Sequence, residues 1–238
     1  AITLLFGRAM GLRSRKEIVA LVGLWALLAI AAASNVYEWT VVNGGTLDDP
    51  AVAYEQDHFR YAVTLCKGEA WAVRIYPKGP AFLMAAVMRL FGINVIYVLA
   101  TNALLTLTSV AVIALTTQKL LERRCDWSRE NLATAAIVGM GICTCFVFNA
   151  VRMWKEPMLY LATAVSAYAM VKIYVQDRFR ILDFGAIAIA GLLFCFTRPT
   201  CLILIAAAVA LLCVSNRCKN WKPVLGIIAI AALFWWCS

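Results

Sequence analysis

Adjacent carboxylates, Asp48 and Asp49, followed by Glu55 and Asp57, stand in one polar stretch of the chain. A carboxylate held beside a hydroxyl or amine can take its proton and so act as a general base. Further along stand the cations Lys78, Arg152 with Lys155, and Arg198, the last two groups just before Pro157 and Pro199. Proline at the first helical position leaves the N-terminal N–H groups and the positive end of the helix dipole facing the same way as those cations. Two helix starts with guanidinium and ammonium groups make an anion site, and a phosphate suits it because Arg holds it bidentately while Lys neutralises it. Both sets also have plain readings. The acids lie between Gly44-Gly45 and Pro50, where a solvated turn is common, and the cations are well placed to snorkel to lipid headgroups. Acids near cations also fit a divalent metal, a second choice because no ligand set is visible. The single histidine, His58, and the absence of a Cys/His pair at zinc spacing argue against zinc.

The elements that must position these residues follow from composition. Of 238 residues 63% are hydrophobic and 15% charged, and the mean hydropathy is +0.81. A water-exposed surface needs far more charge, so water is not the main solvent. Apolar runs near the ~20 residues needed to cross a bilayer cover Ile18–Val36, Val95–Thr117, Leu132–Val151, Pro157–Val175, Ile181–Thr197, Pro199–Val214 and Pro223–Cys237. The expectation is an all-α, polytopic transmembrane bundle of about seven spans. Pro80–Gly92 is too short and carries Arg89, so it reads as an interfacial helix.

With Pro80–Gly92 on the surface, fourteen of the 22 basic residues fall on one face: Arg8, Arg13, Arg15, Lys16, then clusters around Arg123, Arg178 and Lys219. Positive charge marks the cytoplasmic side, which puts the N-terminus there. Because the basic residues are scattered between apolar runs and form no single stripe, nucleic acid is not an expected partner. Residues 37–94 become a long external loop with interfacial helices, and its Gly44-Gly45, Pro77, Gly79 and Pro80 supply turns. Cys143, Cys145 and Cys195 lie in apolar runs and read as small buried hydrophobes. His58 beside Asp57 reads first as a solvated loop histidine and second as a proton relay. The chain starts without Met and stops at Trp235-Trp236-Cys237-Ser238, so residues 1–238 read as one module lacking a C-terminal part.

Leu47-Asp48-Asp49-Pro50 after the first span, Tyr76-Pro77-Lys78-Gly79-Pro80, Trp154-Lys155-Glu156-Pro157 and Phe196-Thr197-Arg198-Pro199 come in an order that resembles the GT-C superfamily of integral-membrane glycosyltransferases. The resemblance covers roughly residues 17 to 215 and is nearest to the branch of protein O-mannosyltransferases and the lipid A aminoarabinose transferase. It implies transfer of a sugar from a polyprenyl- or dolichyl-phosphate donor to a protein, glycan or lipid acceptor on the non-cytoplasmic face, in a bacterial inner membrane or the endoplasmic reticulum. By the same resemblance Asp48 or Asp49 would be the base, Lys78 and Arg198 would hold the donor phosphate, and Lys155 and Glu156 would line the cavity. Many enzymes of this branch need no metal. The family's usual D-E pair is D-D here, and Asp57-His58-Phe59-Arg60-Tyr61 looks like the D-x-x-R-Y version of that element, so Asp57 is a second candidate. The alternative classes are a transporter or lipid flippase, expected to carry mid-span charges and paired repeats, and a structural scaffold, for which the acid-bearing loop has no use.

Overall fold

A computed structural model describes residues 12, 14–51, 56–69, 79–121, 126–153, 155–176 and 181–198. Its elements in chain order are α1 (Arg15–Tyr37, continued by a π-helical turn, Glu38–Val42), α2 (Gln56–Lys67), α3 (Gly79–Phe91), α4 (Val95–Leu121), α5 (Arg129–Ile142), α6 (Thr144–Ala150), α7 (Glu156–Gln176) and α8 (Ile181–Thr197). The described residues hold no strand. α4 is the central helix, packed against α1, α3, α5, α6 and α7, and α7 pairs with α8.

Among the described residues three helices are long and apolar enough to cross a membrane: Arg15–Val42, Val95–Leu121 and Glu156–Val175. The most hydrophobic 18-residue stretch of the first is only 22% buried, against 50% for the central one. An apolar helix whose outer face is also apolar is at home in hydrocarbon and out of place in water.

Two expected spans differ from the sequence reading. Leu132–Val151 is not one rod: α5 and α6 meet at an angle of 78° and count together as at most a fourth span. Cys143 sits at the break in extended backbone, φ −71° and ψ 91°, just after Gly139 and Gly141 have weakened the helix. Residues 181–197 form a helix of 17 residues, shorter than the other spans. Pro199–Val214 and Pro223–Cys237 lie outside the described residues. Cys143 and Cys145 are exposed at the break and not buried as the apolar run suggested.

Ending α6 in an apolar setting orphans its last carbonyls, and hydrocarbon offers them no donor. Neighbouring helices supply the donors. Asn35 of α1 donates to the Val151 carbonyl at 3.2 Å, Asn102 of α4 to that of Arg152 at 2.6 Å, and Thr106 of α4 to that of Ala150 at 3.5 Å. The opposite end of the bundle is tied in the same way. Ser14 and Glu17 form a capping box at the start of α1, and the Gln118 amide of α4 donates both to Glu17 at 2.9 Å and to the Arg129 carbonyl at 3.1 Å. Lys172 of α7 pairs with the buried carboxylate of Asp183 at the start of α8.

The polar segment after α1 folds on the first of these ends. Gly45 packs so closely that a Cβ would lie 2.3 Å from the Ala51 nitrogen, and the Trp39 carbonyl accepts from the Gly45 amide at 3.0 Å, so the Gly44-Gly45 turn is obligatory. α3 is not a lone helix on the headgroups. Ala81, Met84, Ala85 and Met88 are buried in a second core with Trp39, Phe59, Tyr61, Val98 and Met153, while Leu90 and Phe91 stay exposed.

Asn102→Leu keeps the branched shape of the side chain and removes the donor to Arg152, leaving its partly buried carbonyl without that bond. A loss of ~1–2 kcal/mol is expected, read as a lower melting temperature in micelles. A variant melting with the wild type would show that this contact does not hold the corner.

Candidate functional site

The segment between α6 and α7, residues 151–155, forms the corner that carries the expected cations. Val151 and Met153 are fully buried, so the corner is anchored through its apolar side chains as well as its capped carbonyls. The Arg152 guanidinium lies 4.5 Å above the ring centre of Phe148, a cation–π contact. Lys155 is half-buried, and Glu156 begins α7 with buried Pro157 behind it, as expected of proline in a first turn.

Glu156 lies in the field of Lys155, Arg198 and Arg152, which brings α8 to the same place. Its Oε2 is buried and has no hydrogen-bond partner among the described residues. Arg198 is exposed at the end of α8, where its amide donates to the Phe194 carbonyl at 2.6 Å. Lys78 lies outside the described residues. Its neighbour Gly79 nevertheless touches the end of α8: a Cβ there would lie 2.5 Å from the Phe196 carbonyl oxygen and 2.8 Å from the Phe196 Cβ. Only glycine admits that approach.

The acids occupy the same end of the bundle. The Leu47 carbonyl accepts from the Val95 amide at 2.9 Å, which fastens the Asp48-Asp49 turn to the start of α4, the end that also carries Asn102. Asp48, Asp49 and Asp57 are all exposed. Asp49 is gripped bidentately by Arg60 of α2, with Nε–Oδ1 and Nη2–Oδ2 both 3.2 Å, and the amide of Asp49 donates to the Thr46 hydroxyl at 3.0 Å. The pair holds Arg60 charged to higher pH than usual, first through the hydrogen bond and then through the charge of Asp49. No three His, Cys, Asp or Glu side chains converge as metal ligands among the described residues.

Sequence reasoning missed two features. Asp49 and Arg60 find each other eleven positions apart, across a turn and into a helix. His58 is not solvated: it is 8% exposed beside the fully buried Phe59, and its Nδ1 has no partner among the described residues. Burial lowers its pKa from the ordinary 6.5, an effect opposed by Asp57 and assisted by Lys155, which ties α2 electrostatically to the corner. Comparison with protein-family models, curated proteins and solved structures finds no match for this chain.

The lowered pKa of His58 makes a signed expectation. The unfolded chain binds the proton first as pH falls through 6.5, so stability is level above that value and declines below it. The melting temperature of the wild type should therefore drop between pH ~7 and ~5, and His58→Gln should flatten part of that drop. Equal slopes in the two proteins would show that His58 does not titrate as its burial requires.

Proposed function

We propose that this chain is the membrane-embedded module of a glycosyltransferase that takes a sugar from a polyprenyl- or dolichyl-phosphate donor and passes it to an acceptor at the non-cytoplasmic face. The observation that carries the reading is the corner: Arg152, Lys155 and Arg198 gather around the first turn of a 21-residue helix, at the end of the bundle that also holds the Asp48-Asp49 turn. In this reading the full protein has the GT-C arrangement of about seven spans, with the N-terminus cytoplasmic.

The chemistry assigns each group one task. An exposed carboxylate, Asp48, Asp49 or Asp57, accepts the proton of the acceptor hydroxyl or amine, and that oxygen or nitrogen attacks the anomeric carbon. The bond from that carbon to the phosphate oxygen breaks, the electron pair leaves with the lipid phosphate, and the configuration inverts. The departing group gains a negative charge, so cations already fixed in place favour the transition state over the ground state. Arg152, Lys155 and Arg198, with Lys78 beside Gly79, supply that field. Glu156 lines the cavity among them. The ion pair with Arg60 restrains Asp49, which suits a positioned base and a plain structural clasp alike, and exposure of both partners keeps its stability contribution small.

A second reading, a transporter or lipid flippase, draws support from the 78° break between α5 and α6, since interrupted helices line substrate paths in such proteins. Labelled lipid-phosphate sugar in vesicles separates the two. The enzyme reading expects sugar in the acceptor and a loss on the order of a hundredfold in at least one of Asp48→Asn, Asp49→Asn and Asp57→Asn, with little change in melting temperature. Full activity in all three variants removes the proposed base, and movement of intact donor across the bilayer without transfer favours the flippase.

A further inference from the structure

Among the described residues, one apolar cavity lies beside the corner and shares the Phe148 ring with Arg152. A groove of about 390 Å³ runs between α1 and the bent α5–α6 pair, lined by Leu27, Ala31, Gly141, Thr144, Cys145 and Phe148. Leu27, Cys145 and Phe148 are exposed, so the groove opens on the outside of the bundle, the side where α1 presents its apolar face. It follows α1 from Leu27 to Ala31, and the next turn of that helix carries Asn35, bonded to the Val151 carbonyl. The groove therefore heads for the corner. At that end the guanidinium of Arg152 rests on the ring of Phe148, itself a groove wall.

We infer that this groove is a binding site for one acyl chain of an anionic phospholipid whose phosphate is held at Arg152. The chain and the charge complement each other in one ligand. A hydrocarbon chain covers a wall that is apolar along its length and faces the bilayer, and each buried methylene favours it. A cation at the end of that wall selects a negative headgroup, and its place on an aromatic ring keeps the guanidinium fork at the mouth of the groove. The groove spans the break at Cys143, with Gly141 before it and Thr144, Cys145 and Phe148 after it in the wall. Gly141 keeps it open: a Cβ there would meet only Leu24 and Leu27, both at 3.7 Å, so a larger side chain grows into the groove without striking backbone.

The site shares Arg152 with the cations proposed for the donor phosphate, but it is read by lipid occupancy and not by sugar transfer, so its failure and the failure of the glycosyltransferase reading are told apart. The full chain is placed in nanodiscs of phosphatidylcholine doped with a phosphatidylglycerol carrying a photoactivatable acyl chain, or with the phosphatidylcholine bearing the same chain, and adducts are mapped by mass spectrometry. Adducts on residues 27–31 and 141–148 that form with the anionic probe and are scarce with the zwitterionic one support the site. Arg152→Gln should lower the anionic yield about fivefold, and Gly141→Leu should remove those adducts while labelling elsewhere on α1 persists. The wild-type comparison of the two probes stands even if a variant fails to fold. Equal labelling by both probes, or adducts confined to other faces, overturns the site. Displacement of the probe by a polyprenyl phosphate at trace level, but not by excess phosphatidylglycerol, overturns the phospholipid assignment in favour of a polyprenyl occupant.

Discussion

Three hydrogen bonds close the end of a broken helix: Thr106, Asn35 and Asn102 donate to the successive carbonyls of Ala150, Val151 and Arg152. An apolar surround cannot satisfy those oxygens, and each one stranded would cost more than a net hydrogen bond contributes. The donors come from two different helices, so the corner after α6 is located by α1 and α4 together. Whatever the corner carries, including Arg152, Lys155 and Glu156, inherits that location. The corner between α6 and α7 is thereby fixed in place, with Met153 pressed into the core beneath it.

The same contacts sort the described chain into two ends. Ser14, Glu17, Gln118, Arg129, Lys172 and Asp183 meet at one; Asn35, Leu47, Val95, Asn102, Arg152, Glu156, Gly79 and Phe196 belong to the other. At the first end the buried carboxylates of Glu17 and Asp183 are met by Gln118 and Lys172. The second gathers cations around a half-buried carboxylate and leaves acids exposed nearby.

Much of this was legible in the sequence. The hydropathy runs marked α1, α4 and α7 because a helix that faces lipid must be apolar for about 20 residues. Pro157 marked the start of α7, and Gly44-Gly45 marked a turn that the packing of Gly45 against Ala51 now explains. The break at Cys143 was not legible. The run Leu132–Val151 contains no proline, and hydropathy counts composition without seeing angle. Asn35 and Asn102 look like tolerated polar residues in apolar helices until the carbonyls they serve are in view. His58 looked solvated because it follows two polar residues, Gln56 and Asp57, whereas the amphipathic face of α2 turns it inward with Phe59 and Ala62.

The placement of acids and cations on one rim of the membrane can be tested from both sides of a sealed vesicle. In a background with the nine native cysteines replaced, Asp48→Cys, Arg198→Cys and Lys16→Cys would each be labelled with an impermeant maleimide. Labelling of Asp48→Cys and Arg198→Cys from one side and of Lys16→Cys from the other is the expected result. Asp48→Cys and Arg198→Cys reacting from opposite sides would separate the proposed base from the phosphate-binding cations and leave the corner without its chemistry.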